Sequence, residues 1–243
     1  MLGDNIYPGG GERGGSPFLF RERFDAMYKP LLLQGVKFYT TLGNHDLEKD
    51  TGVAEVADKT RFHILQDTGY YSFDTNEEVS GRPLVEFFSL NSNRLLSLND
   101  DPAQIAWLSK ALNDSKAIWK IAFFHHPIYA PEGPHPAAVG IRMGIEKLLN
   151  AASVQLILSG HDHFYARMKP INGFVQTISG GGGQDLKTPH TNTETARALE
   201  VFHFVYFEVF PDRIEFSAVP VTGFPFDHGR IPLSMLPAAA EER

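Results

Sequence analysis

The apolar residues of this chain fall into short runs that end in similar ways. Val36–Leu42, Ile118–Phe124, Val154–Leu158 and Phe174–Ser179 are rich in branched or aromatic side chains. Runs of this length, bounded by Gly or polar residues, predict buried parallel strands. The first leads into Gly43-Asn44-His45-Asp46 and the second into His125-His126-Pro127. The third leads through Ser159-Gly160 into His161-Asp162-His163, and the fourth into Gly180–Gly183. Tyr70–Phe73 and Leu84–Leu90 also read as strands. Between the strands the apolar positions take a helical spacing. Ser16-Pro17 opens a helix that places Phe20, Phe24 and Met27 on one face, with Pro30 at or just beyond its end. Pro102–Leu112 puts Ile105, Leu108 and Leu112 on one face with Trp107 beside them. Ile141–Ala152 turns Ile145, Leu148 and Leu149 inward. Val201–Val209 and Arg213–Val219 predict an antiparallel pair around Pro211-Asp212. Gly9–Gly15, Asn91–Pro102, Pro131–Pro136 and residues 184–198 read as loops, and 47–60 as irregular or briefly helical. Strands alternating with helices predict an α/β fold.

Composition changes this picture little. At 243 residues, 42% hydrophobic and 21% charged, the chain has ordinary globular composition and enough length for one substantial core. No repeat or linker divides it, so residues 1–236 read as a single domain, with an Ala- and Glu-rich frayed tail at 237–243. The formal charge of −7, without a dense Lys/Arg run, argues against nucleic-acid binding. No run of about 18 apolar residues predicts a membrane span, and no signal peptide is visible. Oligomeric state is left open. The absence of Cys limits any metal site to nitrogen and oxygen ligands.

That limit makes the strand ends informative. Met1-Leu2 reads as the end of a strand, followed by Gly3-Asp4 and, three residues on, Tyr7. Asp4, Asn44, His125 and the pair His161/His163 thus each stand just past a strand. If the pair follows two-residue periodicity, both imidazoles project to one side. In α/β proteins such strand ends converge on one crevice. A carboxylate, an amide oxygen and imidazoles form a mixed site suited to Fe, Zn or Mn. Two metals bridged by one carboxylate suit phosphate-ester hydrolysis.

The ordered motifs resemble those of the calcineurin-like metallophosphoesterases. Gly3-Asp4-Asn5-Ile6-Tyr7 matches GDxxY, Gly43-Asn44-His45-Asp46 matches GNH(D/E), and Gly160-His161-Asp162-His163 matches GHxH. Ala122-Phe123-Phe124-His125 matches the strand ending in His. Tyr7 points to the purple or tartrate-resistant acid phosphatase branch. The resemblance implies two packed mixed β-sheets flanked by helices, in four α/β/β/α layers. It implies that Asp4 bridges two metals, that Asn44, His125 and His161 complete one site, and that Tyr7 and His163 serve the other. The expected metals are Fe with Fe, Zn or Mn. His45 would meet the phosphate or protonate the leaving oxygen, and His126 and His135 would line the pocket as further catalytic candidates. The family's first motif, an Asp-bearing block upstream of GDxxY, has no counterpart here. The chain therefore reads as N-terminally truncated, lacking one or more strands, with the Tyr7 site weakened. The implied activity is hydrolysis of phosphate monoesters, on a small molecule or a phosphoprotein, by a metal-bound hydroxide. A phosphodiesterase or nucleotidase on the same scaffold, or an inactive metal- or phosphate-binding fragment, is the alternative. Relatives of this type are often exported, which points to a secreted or periplasmic setting.

Overall fold

The computed structural model describes residues 1–7, 16–97 and 100–233. The Gly9–Gly15 loop and the 237–243 tail lie outside them. In chain order the helices are α1 (Pro17–Phe20), α2 (Ala26–Leu33), α3 (Thr51–Ala57), α4 (Pro102–Asp114) and α5 (Val139–Ala151). The strands are β1 (Tyr71–Asp74), β2 (Glu78–Val79), β3 (Arg82–Pro83), β4 (Val85–Ser89), β5 (Trp119–Phe123) and β6 (Leu156–Ser159). They continue with β7 (Tyr165–Met168), β8 (Val175–Ser179), β9 (Thr195–Leu199), β10 (His203–Val209), β11 (Arg213–Pro220) and β12 (Asp227–Pro232).

A seven-stranded mixed sheet runs in the order β1-β4-β5-β6-β8-β7-β9. Its centre, β4, β5, β6 and β8, is parallel. The C-terminal ends of these strands therefore share one edge, and the site forms there. On one face, Phe88, Ala122 and Ile157 meet Leu108 and Leu112 of α4 and Ile141, Ile145 and Leu149 of α5. On the other, Val85, Trp119, Ile121, Leu156 and Val175 meet Ile214, Phe216 and Ile231 of a second sheet. Burying each of the Val, Leu, Ile and Phe side chains among these contributes about 1.5–3 kcal/mol. The indole N–H of Trp119 donates to the Phe210 carbonyl at 2.7 Å, so its polar atom is satisfied. The second sheet, β10-β11-β12, is antiparallel throughout, not mixed, because its strands are consecutive and joined by tight connections. Its outer face leaves Phe204 and Tyr206 58% and 54% exposed.

The N-terminal helices depart most from the sequence pattern. Ser16 caps α1 by accepting from the Leu19 N–H at 3.3 Å, with Pro17 at the first helical position. A π-helical segment, Arg21–Asp25, then joins α1 to α2. The wider turn changes the phase of all that follows. Phe20 and Phe24 stay inside, but Met27 turns out to 70% exposure. Pro30 sits within α2 and does not end it. No residue of α2 is buried, so the hydrogen bond that Pro30 cannot donate is missing from an accessible helix.

Val36–Leu42 is extended, yet it forms only an isolated parallel bridge, Leu2 to Thr41. Gly3, at φ 84°, turns the partner stretch away at once. The region 184–198, read as a loop, contains the start of β9, and β7 and β12 were also invisible in the pattern. Thr-Ala-Arg-Ala-Leu in β9 has little alternation, and its pairing with β7 is set by partners distant in sequence.

Candidate metal centre

Two loops carry the centre of the site. Asp4 follows the Leu2 bridge with φ 53°, an uncommon backbone for a non-glycine residue. Asn44 follows the Thr41 side of the same bridge. The loops touch at glycines: a Cβ on Gly43 would lie 2.2 Å from Asp4 Oδ1, and one on Gly3 would lie 2.7 Å from the Gly43 nitrogen. Only hydrogen atoms fit at either position.

From the parallel sheet, β5 delivers His125 and β6 delivers His161. His125 Nδ1 is 2.8 Å from the Leu2 carbonyl, which fixes the proton on Nδ1 and leaves a lone pair on Nε2. That nitrogen lies 3.1 Å from Asn44 Oδ1, 3.1 Å from His161 Nδ1 and 3.3 Å from Asp4 Oδ2. His161 Nδ1 is also 3.1 Å from Asn44 Oδ1. Four lone-pair atoms thus crowd one point with too few protons to pair them. An oxygen–nitrogen set of this kind, with one imidazole already anchored through its other ring nitrogen, fits a transition-metal ion. Burial, followed by the neighbouring histidines, lowers His161 to about 3 and keeps it neutral, the form that binds metal. Burial would raise Asp4, but His125 and the His45 N–H outweigh it and bring the carboxyl to about 2.

The second half of the site is looser. Tyr7 donates its hydroxyl to Asp4 Oδ2 at 3.0 Å and lies 3.2 Å from His163 Nε2. His163 Nδ1 is 2.9 Å from the Asp185 carbonyl. Burial and the Asp4 carboxylate push the Tyr7 phenol upward. His161 and His163 do come to neighbouring halves of one cluster, but not through strand periodicity. Residues 161–164 are bent, not extended, and His161 has φ 67°. The bend sends His161 to His125 and His163 to Tyr7.

The remaining candidates ring this centre. His45 packs on the Tyr7 ring at 4.6 Å, and its Nδ1 is 2.9 Å from Glu48 Oε1. His126 is buried, 2.9 Å from Ser92 Oγ through Nδ1, with its ring 4.5 Å from that of His161. Burial, then His125, lowers it to about 4. Ligand nitrogens of His125, His126 and His161 all lie within 4.8 Å of one another. His135 is half exposed, stacks on His161 at 4.3 Å and is held by the buried Asp162 at 3.0 Å.

Three supporting residues escaped the sequence reading. Asp46 accepts from the Gly43 N–H at 2.8 Å and the Ile6 N–H at 3.2 Å. Asn5 donates to the Thr41 carbonyl and to Glu55 Oε2, each at 2.9 Å, and to Asp46 Oδ2 at 3.3 Å. Glu55 and Asp46 are wholly buried. Burial raises both carboxyls, Glu55 further, with the Asp46 charge adding to it. Asp46 stands inside the GNHD block, but nothing in spacing singles out Glu55.

Comparison with known proteins places the chain in a family. The calcineurin-like phosphoesterase profile matches residues 1–165. Tartrate-resistant acid phosphatase type 5 of Oryctolagus cuniculus is 26% identical, over 95% of this chain and 78% of its own length. Purple acid phosphatase 3 of Arabidopsis thaliana is 29% identical over 74% of this chain, which spans about half of it, 52%. Among solved structures, GAP50, described as the anchor in the inner membrane complex of Plasmodium, superposes with a TM-score of 0.79 at 18% identity. It covers 97% of this chain and 83% of its own. Purple acid phosphatase PPD1 from yellow lupin superposes with a TM-score of 0.71 at 18% identity, over 90% of this chain and 44% of its own. At such identities the two structures speak for the fold alone. The chain belongs to the calcineurin-like phosphoesterase family.

Proposed function

We propose that this protein hydrolyses phosphate monoesters in the manner of an acid phosphatase, with a binuclear metal centre. The observation that supports this most is the meeting of Asp4, Asn44, His125 and His161 at one point, with Tyr7 and His163 beside it across the same Asp4 carboxylate. Asp4, Asn44, His125 and His161 would hold one ion, and Asp4, Tyr7 and His163 the other. Bound metals of this kind supply Lewis acidity toward the phosphoryl oxygens and lower the pKa of attacking water.

The chain's own residues do the rest. His45, tied to Glu48 through Nδ1, presents its other nitrogen to the leaving oxygen and gives it a proton. His135, aligned by Asp162, orients the phosphoryl group from the opposite side. His126, neutral and walled in by Ser92, packs behind His161 and keeps that ring in place.

The test pairs the metal-to-protein ratio of the purified chain with turnover of p-nitrophenyl phosphate and of its bis ester. A ratio near two with preference for the monoester is expected. Preference for the bis ester would make the protein a diesterase instead. Absence of turnover from acid to neutral pH in the metal-loaded chain would overturn the reading.

A further inference from the structure

We infer that Glu55 is a positioning residue for the metal centre, its buried carboxyl locking together the two loops that carry Asp4 and Asn44. The inference rests on the metal-binding part of the proposed function and adds a residue that no motif contains.

The two loops are not held by a β-ladder. Beyond the Leu2–Thr41 bridge and the Met1 ammonium on the Tyr39 carbonyl, side-chain hydrogen bonds join them. Asp46, on the Asn44 loop, reaches across to the Ile6 N–H on the Asp4 loop. Asn5, on the Asp4 loop, reaches back to the Thr41 carbonyl and to Asp46. Glu55, from α3, closes the set: Oε2 accepts from Asn5. Oε1 is buried with no hydrogen-bond partner. Because Asn5 Nδ2 donates to both Glu55 and Asp46, the two carboxyls lie side by side, and a proton on Glu55 would let it donate to Asp46. Glu55 thus binds Asn5 of one loop directly and shares that donor with Asp46 of the other.

This matters because the loops meet at Gly3 and Gly43 with no slack. Asp4 and Asn44 have the right separation from His125 only in that one placement. A buried carboxyl is costly to keep, and an apolar side chain of similar size would pack in its place. An apolar replacement would fill the space but hold neither Asn5 nor Asp46.

Three variants test this. Glu55→Gln keeps an acceptor for Asn5 and a donor for Asp46. Glu55→Met keeps only the volume, and Glu55→Asp keeps the chemistry but shortens the reach. Zn²⁺ affinity is measured by competition with a chromophoric chelator, alongside melting curves and kcat and KM for p-nitrophenyl phosphate. Glu55→Gln should bind Zn²⁺ within about threefold of the parent. Glu55→Met should bind about 10–100-fold more weakly and lose kcat with KM nearly unchanged. Should Glu55→Met not fold, Glu55→Asp decides, with the same weakening expected. A folded Glu55→Met, or Glu55→Asp, that binds Zn²⁺ as the parent does would overturn the inference. So would an equal loss in Glu55→Gln. Zn²⁺ binding is read without turnover, so an inactive parent that follows this pattern would sink the phosphatase reading and leave the clamp standing.

Discussion

The two halves of the site are built to different standards. Around His125, side chains from two loops and two parallel strands converge in a pocket where His125 is 1% exposed and the Asp4 side chain 7%. Around Tyr7, the contacts come from Asp4 itself, the His45 ring, His163 and a backbone carbonyl, and His163 opens toward solvent. The buried half is enforced by the sheet: β5 and β6 are adjacent, parallel and in register, so His125 and His161 cannot separate without breaking the core. The Tyr7 half depends on loops. One half should therefore hold its metal as a property of the fold, and the other as a property of loop order.

Four measurements break or sharpen that contrast. The largest effect belongs to the buried half: His161→Ala, or Asn44→Ala, should abolish turnover and release the metal held there, as elemental analysis would show. Full metal content in His161→Ala would remove the distinction altogether. Next comes His45→Ala, expected to lower kcat by about 10²–10⁴-fold with metal content unchanged. Loss of metal in that variant would make His45 a ligand. Tyr7→Phe should have a narrower effect, reducing the metal ratio from about two toward one while the buried ion stays. If both ions leave together, the halves are not independent.

The smallest effect on the site, though not on the fold, is expected from Asp227→Asn. Asp227 on β12 accepts from the Tyr165 hydroxyl at 2.7 Å and from Arg167 at 2.8 and 3.1 Å, fastening the small sheet to β7. Burial would raise its carboxyl, but Arg167 and Tyr165 outweigh burial and hold it below its ordinary value. A group lowered on folding adds stability above its unfolded pKa and loses that contribution as pH falls through its folded one. The variant should cost about 1–3 kcal/mol near neutrality, and less in acid, with metal content unaffected. Denaturant titration at two pH values measures it.

The contrast also explains what was legible in the sequence. The buried half could be read, because the apolar runs that lead into His125 and His161 are the parallel strands β5 and β6, which share an edge. The α/β class followed from the same runs, whereas the second sheet was implied only by the family resemblance. What the runs could not show was backbone conformation past the strand ends. His161 and His163 reach different partners because of a left-handed residue, which no spacing rule encodes. Met27 looked internal until the π segment shifted its phase. Glu55 was unreadable for a different reason: its value lies in two partners from distant loops, and a lone Glu in a polar stretch looks like any surface acid.

The contact at Gly43 carries a consequence for how relatives of this chain are sorted. A methyl group there would occupy the space of the Asp4 carboxylate, so a gene could lose its activity by one substitution while every metal-binding residue is spelled correctly. Inventories of silent phosphoesterases that check only the Asp, Asn and His codons would count such a gene as working. The glycine codon is the one to read first.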